Sequence, residues 1–376
     1  MNTIQMVDLR SQYEAIKSEV NLAIQEVLDT TAFINGPQVK EFASSLSKYT
    51  GSKFVIPCAN GTDALQIAMM ALDFKPGMEV IVPTFTYVAT VEVIALLGLR
   101  PVFIDVVPDT YDLDISQLER KITSKTVGIV PVHLYGQCSN MEAILEFASK
   151  HKLKVIEDTA QAIGAVYTFT DGKSLQAGTM GDIGTTSFFP SKNLGCYGDG
   201  GAIFTQDEFL AEKIRMIANH GQRKKYYHES IGVNSRLDTI QAAILNVKLG
   251  HLTRYSASRN EVADRYDAAF LNHPHVKIPV RIPNSTHVFH QYTVQLEDVD
   301  REEFKNFLAE NGVSSMVYYP VPLHLQHAYK EFGYQEGEFP VAELLCKKVI
   351  SLPIHTEMKS EEQEYIIDTI KKFFDR

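Results

Sequence analysis

"FVIPCANGTDALQIAMMAL", residues 54–72, reads as an apolar strand, a polar Asn-Gly-Thr turn and an alanine-rich helix. The same change of rhythm recurs along the chain in "EVIVP", "VEVIALLGL", "PVFIDV", "TVGIVPV", "MEAILEFASKHK", "KVIED", "TTSFF" and "GAIF", out to about residue 205. Short apolar runs that alternate with amphipathic segments predict an α/β fold with a mostly parallel sheet covered on both faces. Ligands of such sheets collect beyond the carboxyl ends of the strands. That rule directs attention to the polar residues that follow each apolar run.

Further along, "DEFLAEKIRMIANHG" has helical spacing, and a longer helical pattern starts near Ser235 and runs through "LDTIQAAILNVKLGHLTRYSASRNEVADRYDAAF". The longer one is expected to bridge two domains. Beyond it, "HQYTVQL", "REEFKNFLAENGV" and "SEEQEYIIDTIKKFFD" predict a smaller α+β unit. The expected division is a large α/β domain over 1–250, N-terminal segment included, and a small C-terminal domain over 251–376. There is no internal repeat.

The chain's 376 residues, 45% hydrophobic and 22% charged, suffice for a large core, and length alone suggests two domains. A net charge of −10 argues against a general nucleic-acid binder; "QRKKYYH" (222–228) is the best candidate for a local basic patch and reads as a solvated loop. The four cysteines, Cys58, Cys138, Cys196 and Cys346, form no CxxC pair, so neither a zinc site nor a disulfide framework is expected. The histidines lack HxxxH spacing, so no metal is expected either. No apolar run is long enough to cross a bilayer and no signal peptide is evident, which reads as a cytoplasmic protein without a membrane partner.

Four stretches at strand ends carry chemistry. In the opening stretch, the first-turn N–H groups of a helix and the Thr62 hydroxyl can hold an anion such as phosphate, although Thr62 also reads as a helix N-cap. In "VPTFTYVAT", Phe85 and Tyr87 follow a strand, as core residues or as a plate on which a flat ring stacks. "KVIEDTAQAIGA" ends a strand in Glu157-Asp158, with Gln161 three residues on; a carboxylate there either pairs with a cationic ring nitrogen or serves as a cap or surface ion pair. In "TTSFFPSKNLGCYGDGG" (185–201), "SFF" reads as a short buried strand, followed by Pro190, Lys192 and four glycines. A loop lysine is ordinarily solvated, but one partly desolvated beside a ligand becomes a nucleophilic amine able to form a Schiff base with an aldehyde. Pyridoxal phosphate carries the phosphate, planar ring, ring nitrogen and aldehyde that match the four stretches.

These stretches, with "VDLRSQY", "FINGPQVKEF", "VHLYGQ", "VNSRLDTIQAAIL", "YYPVPLH" and "LPIH", resemble the DegT/DnrJ/EryC1/StrS sugar aminotransferases over nearly the whole chain. The resemblance implies fold type I of the pyridoxal-phosphate-dependent transferases, like aspartate aminotransferase. It implies that Lys192 forms the Schiff base with the cofactor, that Asp158 faces the pyridinium nitrogen, that Gln161 lies against the ring and that Tyr87 stacks on it. Gly61, Thr62 and Ser187 would cradle the phosphate. Asn234 would reach the phosphate from the neighbouring subunit, which implies a homodimer with shared active sites. Some relatives have histidine in place of the lysine and are dehydratases; Lys192 favours amino transfer.

The strings around Lys192 and Asn234 look closest to the branch that aminates UDP-2-acetamido-2-deoxy-3-oxo-D-glucuronate with L-glutamate as donor, for bacterial surface polysaccharide (lipopolysaccharide, O-antigen). Arg236 suits the sugar carboxylate through a bidentate pair, or else pairs with Asp238 or another acid of its own chain. Tyr319, His324 and His290 are further candidates for the sugar site. The alternatives are a TDP-3-oxo- or 4-oxo-6-deoxyhexose as acceptor, or a regulatory protein that keeps the fold without turnover. Lys192, Asp158 and Gln161 together speak against the latter.

Overall fold

One seven-stranded sheet fills the first half of the chain, in a computed structural model that describes residues 3–376. Its strands are β1 (Phe54–Cys58), β2 (Glu79–Pro83), β3 (Arg100–Ile104), β4 (Thr126–Ile129), β5 (Lys154–Asp158), β8 (Ile183–Ser187) and β9 (Gly201–Thr205), in the order β1-β9-β8-β5-β4-β2-β3. The five from β3 to β8 are mutually parallel, and β9 runs antiparallel to both β8 and β1. A hairpin of β6 (Val166–Thr168) and β7 (Ser174–Gln176) precedes β8. The parallel strands are apolar throughout because both faces are covered: Val80 and Val82 enter one core, and Ile81 between them enters another.

The helices interleave as α3 (Gly61–Ala71), α4 (Ala89–Leu96), α5 (Met141–His151) and α6 (Glu208–Ala218), preceded by α1 (Leu9–Thr30) and α2 (Pro37–Thr50). Their starts follow side-chain chemistry: Asn60 Oδ1 accepts the Asp63 N–H at 2.8 Å to cap α3, and Asp207 caps α6. Between α6 and the next helix lies a small ribbon of β10 (Gln222–Lys224) and β11 (Tyr227–His228), which carries the basic patch.

Helix α7 (Thr239–Phe270) is continuous for 32 residues and serves both halves of the molecule. Leu245, Leu249 and Leu252 pack with Phe42, Phe188 and Phe204 against β1 and β9. Val262, Tyr266 and Phe270 instead join a separate core with β12 (Val276–Lys277), β13 (Tyr292–Leu296), α8 (Arg301–Glu310), β14 (Val349–Leu352) and α10 (Ser360–Phe374). That unit is the expected α+β unit, built on the antiparallel sheet β12-β13-β14.

The expected division at 250/251 therefore falls inside a helix. Two further crossings blur it. Ile4 exchanges backbone hydrogen bonds with Gly312 and Ser314, so the N-terminal segment joins the C-terminal unit. Leu323, Tyr329, Phe339 and Leu345 return to the core of the large sheet, and α9 (Pro340–Lys348) is capped across the fold by the Asp105 carboxylate, which accepts the Val341 and Ala342 N–H groups at 2.9 and 2.8 Å.

All four cysteines are free and buried. Among the described residues no helix is long and apolar enough to cross a membrane.

Candidate active site

At the carboxyl end of β1 the chain turns through Asn60 into α3, and Asn60, not Thr62, is the N-cap. The Asn60 carboxamide satisfies the Asp63 N–H and its carbonyl satisfies Ala64, which leaves the Gly61 and Thr62 N–H groups pointing out of the helix start. Ser187, the last residue of β8, lies against this turn: a Cβ placed on Gly61 would sit 2.8 Å from Ser187 Cβ. Two free N–H groups and two hydroxyls thus converge at a positive helix end, which is a phosphate cradle by its donor set.

Asp158 ends β5. Its Oδ2 accepts from the Thr90 hydroxyl at 2.8 Å and its Oδ1 from the Ala160 N–H at 3.1 Å, so each oxygen keeps a lone pair for a further donor. Gln161 is held at both ends, accepting from the Tyr135 N–H at 2.7 Å and donating to the Tyr319 hydroxyl at 3.1 Å. The Tyr319 ring stands 6.2 Å from both Phe85 and Tyr87. Phe85 is buried core, whereas Tyr87 is 55% exposed and presents a free ring. Of the two aromatics read in the sequence, Tyr87 is the one available for stacking.

Lys192 follows the strand rather than sitting beside it, because β8 stops at Ser187: Phe188 is buried and Phe189 is exposed, so "SFF" is only partly strand. Glycine is required at 195, where a Cβ would lie 2.4 Å from the Pro190 carbonyl oxygen; the loop folds tightly back on itself. Asn193 anchors it by donating to the Val288 carbonyl at 2.8 Å. Among the described residues Lys192 Nζ makes no hydrogen bond or ion pair. Burial holds its ammonium down to about 8, against the pull of the nearby Asp158 carboxylate. At pH 7 roughly one such lysine in ten is the free amine, against fewer than one in a thousand for an ordinary lysine.

Asn234 and Arg236 flank Ser235 on an extended stretch that hydrogen-bonds to the phosphate turn, the Ser235 hydroxyl accepting the Ala59 N–H at 3.1 Å. Ser235 is buried by this contact and Asn234 is exposed. Arg236 is partly exposed and has no ion pair among the described residues; the expected alternative, a bond to Asp238, is not formed.

Two of the sugar-site candidates are not accessible. His324 is 2% exposed, with Nδ1 2.8 Å from the Thr84 hydroxyl and Nε2 3.1 Å from Glu343 Oε1, so both ring nitrogens are used within the chain. His290 is 4% exposed, and burial together with the Lys192 and Arg259 charges keeps its imidazole neutral. Tyr319 remains, tied to Gln161.

Three residues of the site went unread in the sequence: Thr90, Tyr135 and Asn60. The first two contact Asp158 and Gln161 from elements distant in sequence. Asn60 had a signal, since its position three residues before Asp63 is the side-chain cap pattern of a helix start.

The DegT/DnrJ/EryC1/StrS aminotransferase family model matches residues 14–371. A UDP-2-acetamido-2-deoxy-3-oxo-D-glucuronate aminotransferase of Pseudomonas aeruginosa is 47% identical over 94% of this chain and 95% of its own. A pleiotropic regulatory protein of Geobacillus stearothermophilus is 46% identical over 99% and 98%. Among solved structures, DesV of S. venezuelae in complex with a ketimine intermediate superposes with a TM-score of 0.95 at 37% identity, over the full length of both chains.

Proposed function

The chain belongs to the DegT/DnrJ/EryC1/StrS aminotransferase family, and from that premise we propose that it moves an amino group from L-glutamate to a nucleotide-linked keto-sugar, UDP-2-acetamido-2-deoxy-3-oxo-D-glucuronate. The products are 2-oxoglutarate and a 3-amino sugar for surface polysaccharide. The observation that carries amino transfer is Lys192: an unpaired amine at the mouth of the sheet, poised near pH 8, with a carboxylate nearby.

Pyridoxal phosphate is the cofactor of this family, and when bound it supplies the electron sink that stabilises a carbanion next to its ring. The residues present fit it. The Gly61 and Thr62 N–H groups with the Thr62 and Ser187 hydroxyls would hold the phosphate, Tyr87 and Gln161 would enclose the ring, and Asp158 would hold a proton on the ring nitrogen. Lys192 Nζ takes the proton from the α-carbon of glutamate and later delivers one to the sugar carbon that acquires nitrogen. Its lowered basicity makes both transfers accessible near neutral pH.

Arg236 supports the uronate reading, since an unpaired guanidinium suits a carboxylate that 6-deoxyhexoses lack. Asn234, exposed and ahead of α7, supports a homodimer in which it reaches the neighbouring phosphate site. A regulatory role without turnover, suggested by the name of the Geobacillus relative, would have no use for a depressed lysine facing a carboxylate.

The test is to convert the purified protein with glutamate, following cofactor absorbance, and then to add the UDP-3-oxo-uronate and TDP-keto-hexoses separately. Recovery with the uronate alone is expected, and Arg236→Ala raises KM for it by about 10- to 100-fold. Recovery with a TDP-sugar alone refutes the substrate; no response to glutamate with cofactor bound refutes amino transfer.

A further inference from the structure

Asp158 is one of two adjacent acids, and the other, Glu157, is completely buried. Successive side chains of a strand point to opposite faces, so with Asp158 turned to the site, Glu157 is turned into the protein. There Oε1 accepts the Met180 and Gly181 N–H groups, both at 2.6 Å, and Oε2 accepts the Gly178 N–H at 2.8 Å and contacts His133 Nε2 at 2.9 Å. Four partners saturate the carboxylate, with no lysine or arginine paired to it among the described residues, which is the condition for keeping such a group in the interior.

His133 is also completely buried, and its other nitrogen is committed: Nδ1 accepts the Ser139 N–H at 3.0 Å. The hydrogen-bond network therefore assigns the ring proton to Nε2, which donates to Glu157. The same histidine grips Asp158 through the main chain. Its N–H donates to the Asp158 carbonyl at 3.0 Å, while the Asp158 N–H donates to the Pro131 carbonyl at 2.9 Å. One residue thus holds the functional acid by its backbone and the silent acid by its side chain. Glu157 in turn pins residues 178–181, which lead into β8, the strand that ends at Ser187.

We propose that the buried Glu157–His133 pair is the positioning device that fixes the Asp158 carboxylate in register with the cofactor's ring nitrogen. Neither residue touches the cofactor; both act through Asp158. The inference rests on the reading of Asp158 given above, but not on the sugar or on turnover.

The experiment compares equilibrium binding of pyridoxal phosphate with that of its 1-deaza analogue, in which a CH replaces the ring nitrogen, so that the Asp158 contribution appears as a preference between the two. In wild type, pyridoxal phosphate binds more tightly. In Glu157→Gln, whose amide would face the Gly178 and His133 donors, the preference falls by about tenfold, the size usual for loss of an orienting partner, while the analogue binds within about twofold of wild type. Equal weakening of both ligands would reduce the pair to general support of the pocket, and an unchanged preference would remove its role; either overturns the proposal.

If Glu157→Gln does not fold, His133→Leu and His133→Gln decide. The leucine variant loses the preference, and the glutamine variant, whose amide N–H can still reach Glu157, restores it; equal behaviour of the two overturns the proposal. Because no amino donor is present, a failure here is distinct from a failure of amino transfer, which is read separately by adding glutamate to the loaded protein.

Discussion

Replacing Lys192 by methionine should stabilise the cofactor-free protein, and the gain should fade as pH rises. Burial lowers the lysine from 10.5 to about 8. Below pH 8 both the folded and the unfolded chain carry the ammonium, and the folded state bears its desolvation in full. Between pH 8 and 10.5 the unfolded chain binds the extra proton, so wild-type stability rises with pH across that window. The gap, at about 1.4 kcal/mol per unit, sets an upper bound of ~3.5 kcal/mol. Because the Lys192 side chain as a whole is only partly buried, the bound is discounted for solvent screening to about 2 kcal/mol at pH 7. About 1 kcal/mol remains near pH 9.5. Urea unfolding of both cofactor-free proteins, at one protomer concentration and at several pH values, measures the difference directly. Methionine also changes packing, but that contribution is independent of pH. A flat difference between pH 7 and 10 would refute the account of Lys192 as a desolvated amine.

The other outcomes probe the cradle and the buried histidine. Gly61→Ala places a methyl group 2.8 Å from Ser187 Cβ and should weaken pyridoxal phosphate binding by about tenfold in a cofactor titration; unchanged affinity would show that the Gly61–Ser187 contact does not shape the site. His324→Leu removes bonds to Thr84 and Glu343 and should cost about 1–3 kcal/mol of stability in urea unfolding, with KM for the sugar within twofold. Burial lowers His324 despite the opposing Glu343 carboxylate, so the wild type should lose stability as pH falls below about 6.5 and the leucine variant should lack that component. A raised KM at unchanged stability would return His324 to the sugar site.

What the sequence disclosed tracks how local the cause is. The strands were legible because a sheet covered on both faces demands uninterrupted apolar runs, as in Val80-Ile81-Val82. Helix α1 left little trace because its buried residues, Gln12, Ile16, Val20 and Val27, include a polar one and are sparse over 22 positions. Helix α7 was visible as a helix, yet its division of labour was not, since Leu249 and Tyr266 serve different cores from one continuous element. The buried state of His324 depends on Thr84, 240 residues away, and on Glu343, so the residue type alone suggested a ligand. Asp158 was readable as a candidate because it ends a strand, where ligands of such sheets collect, and Lys192 because of the glycine-rich loop around it; the family resemblance assigned their roles.

Which member of Glu157-Asp158 faces the site is settled by the donors on the other side, the backbone of 178–181 and His133. The separation of tasks matters for Lys192. An amine that must give and take protons near neutrality needs a negative charge such as that of Asp158 to offset part of its desolvation, but a direct ion pair would hold the proton and silence it. In the structure Asp158 bonds Thr90 and Ala160 instead, and no bond to Lys192 is formed. The carboxylate therefore moderates the desolvation of the lysine without cancelling it, which leaves the amine at about 8 rather than at its ordinary 10.5.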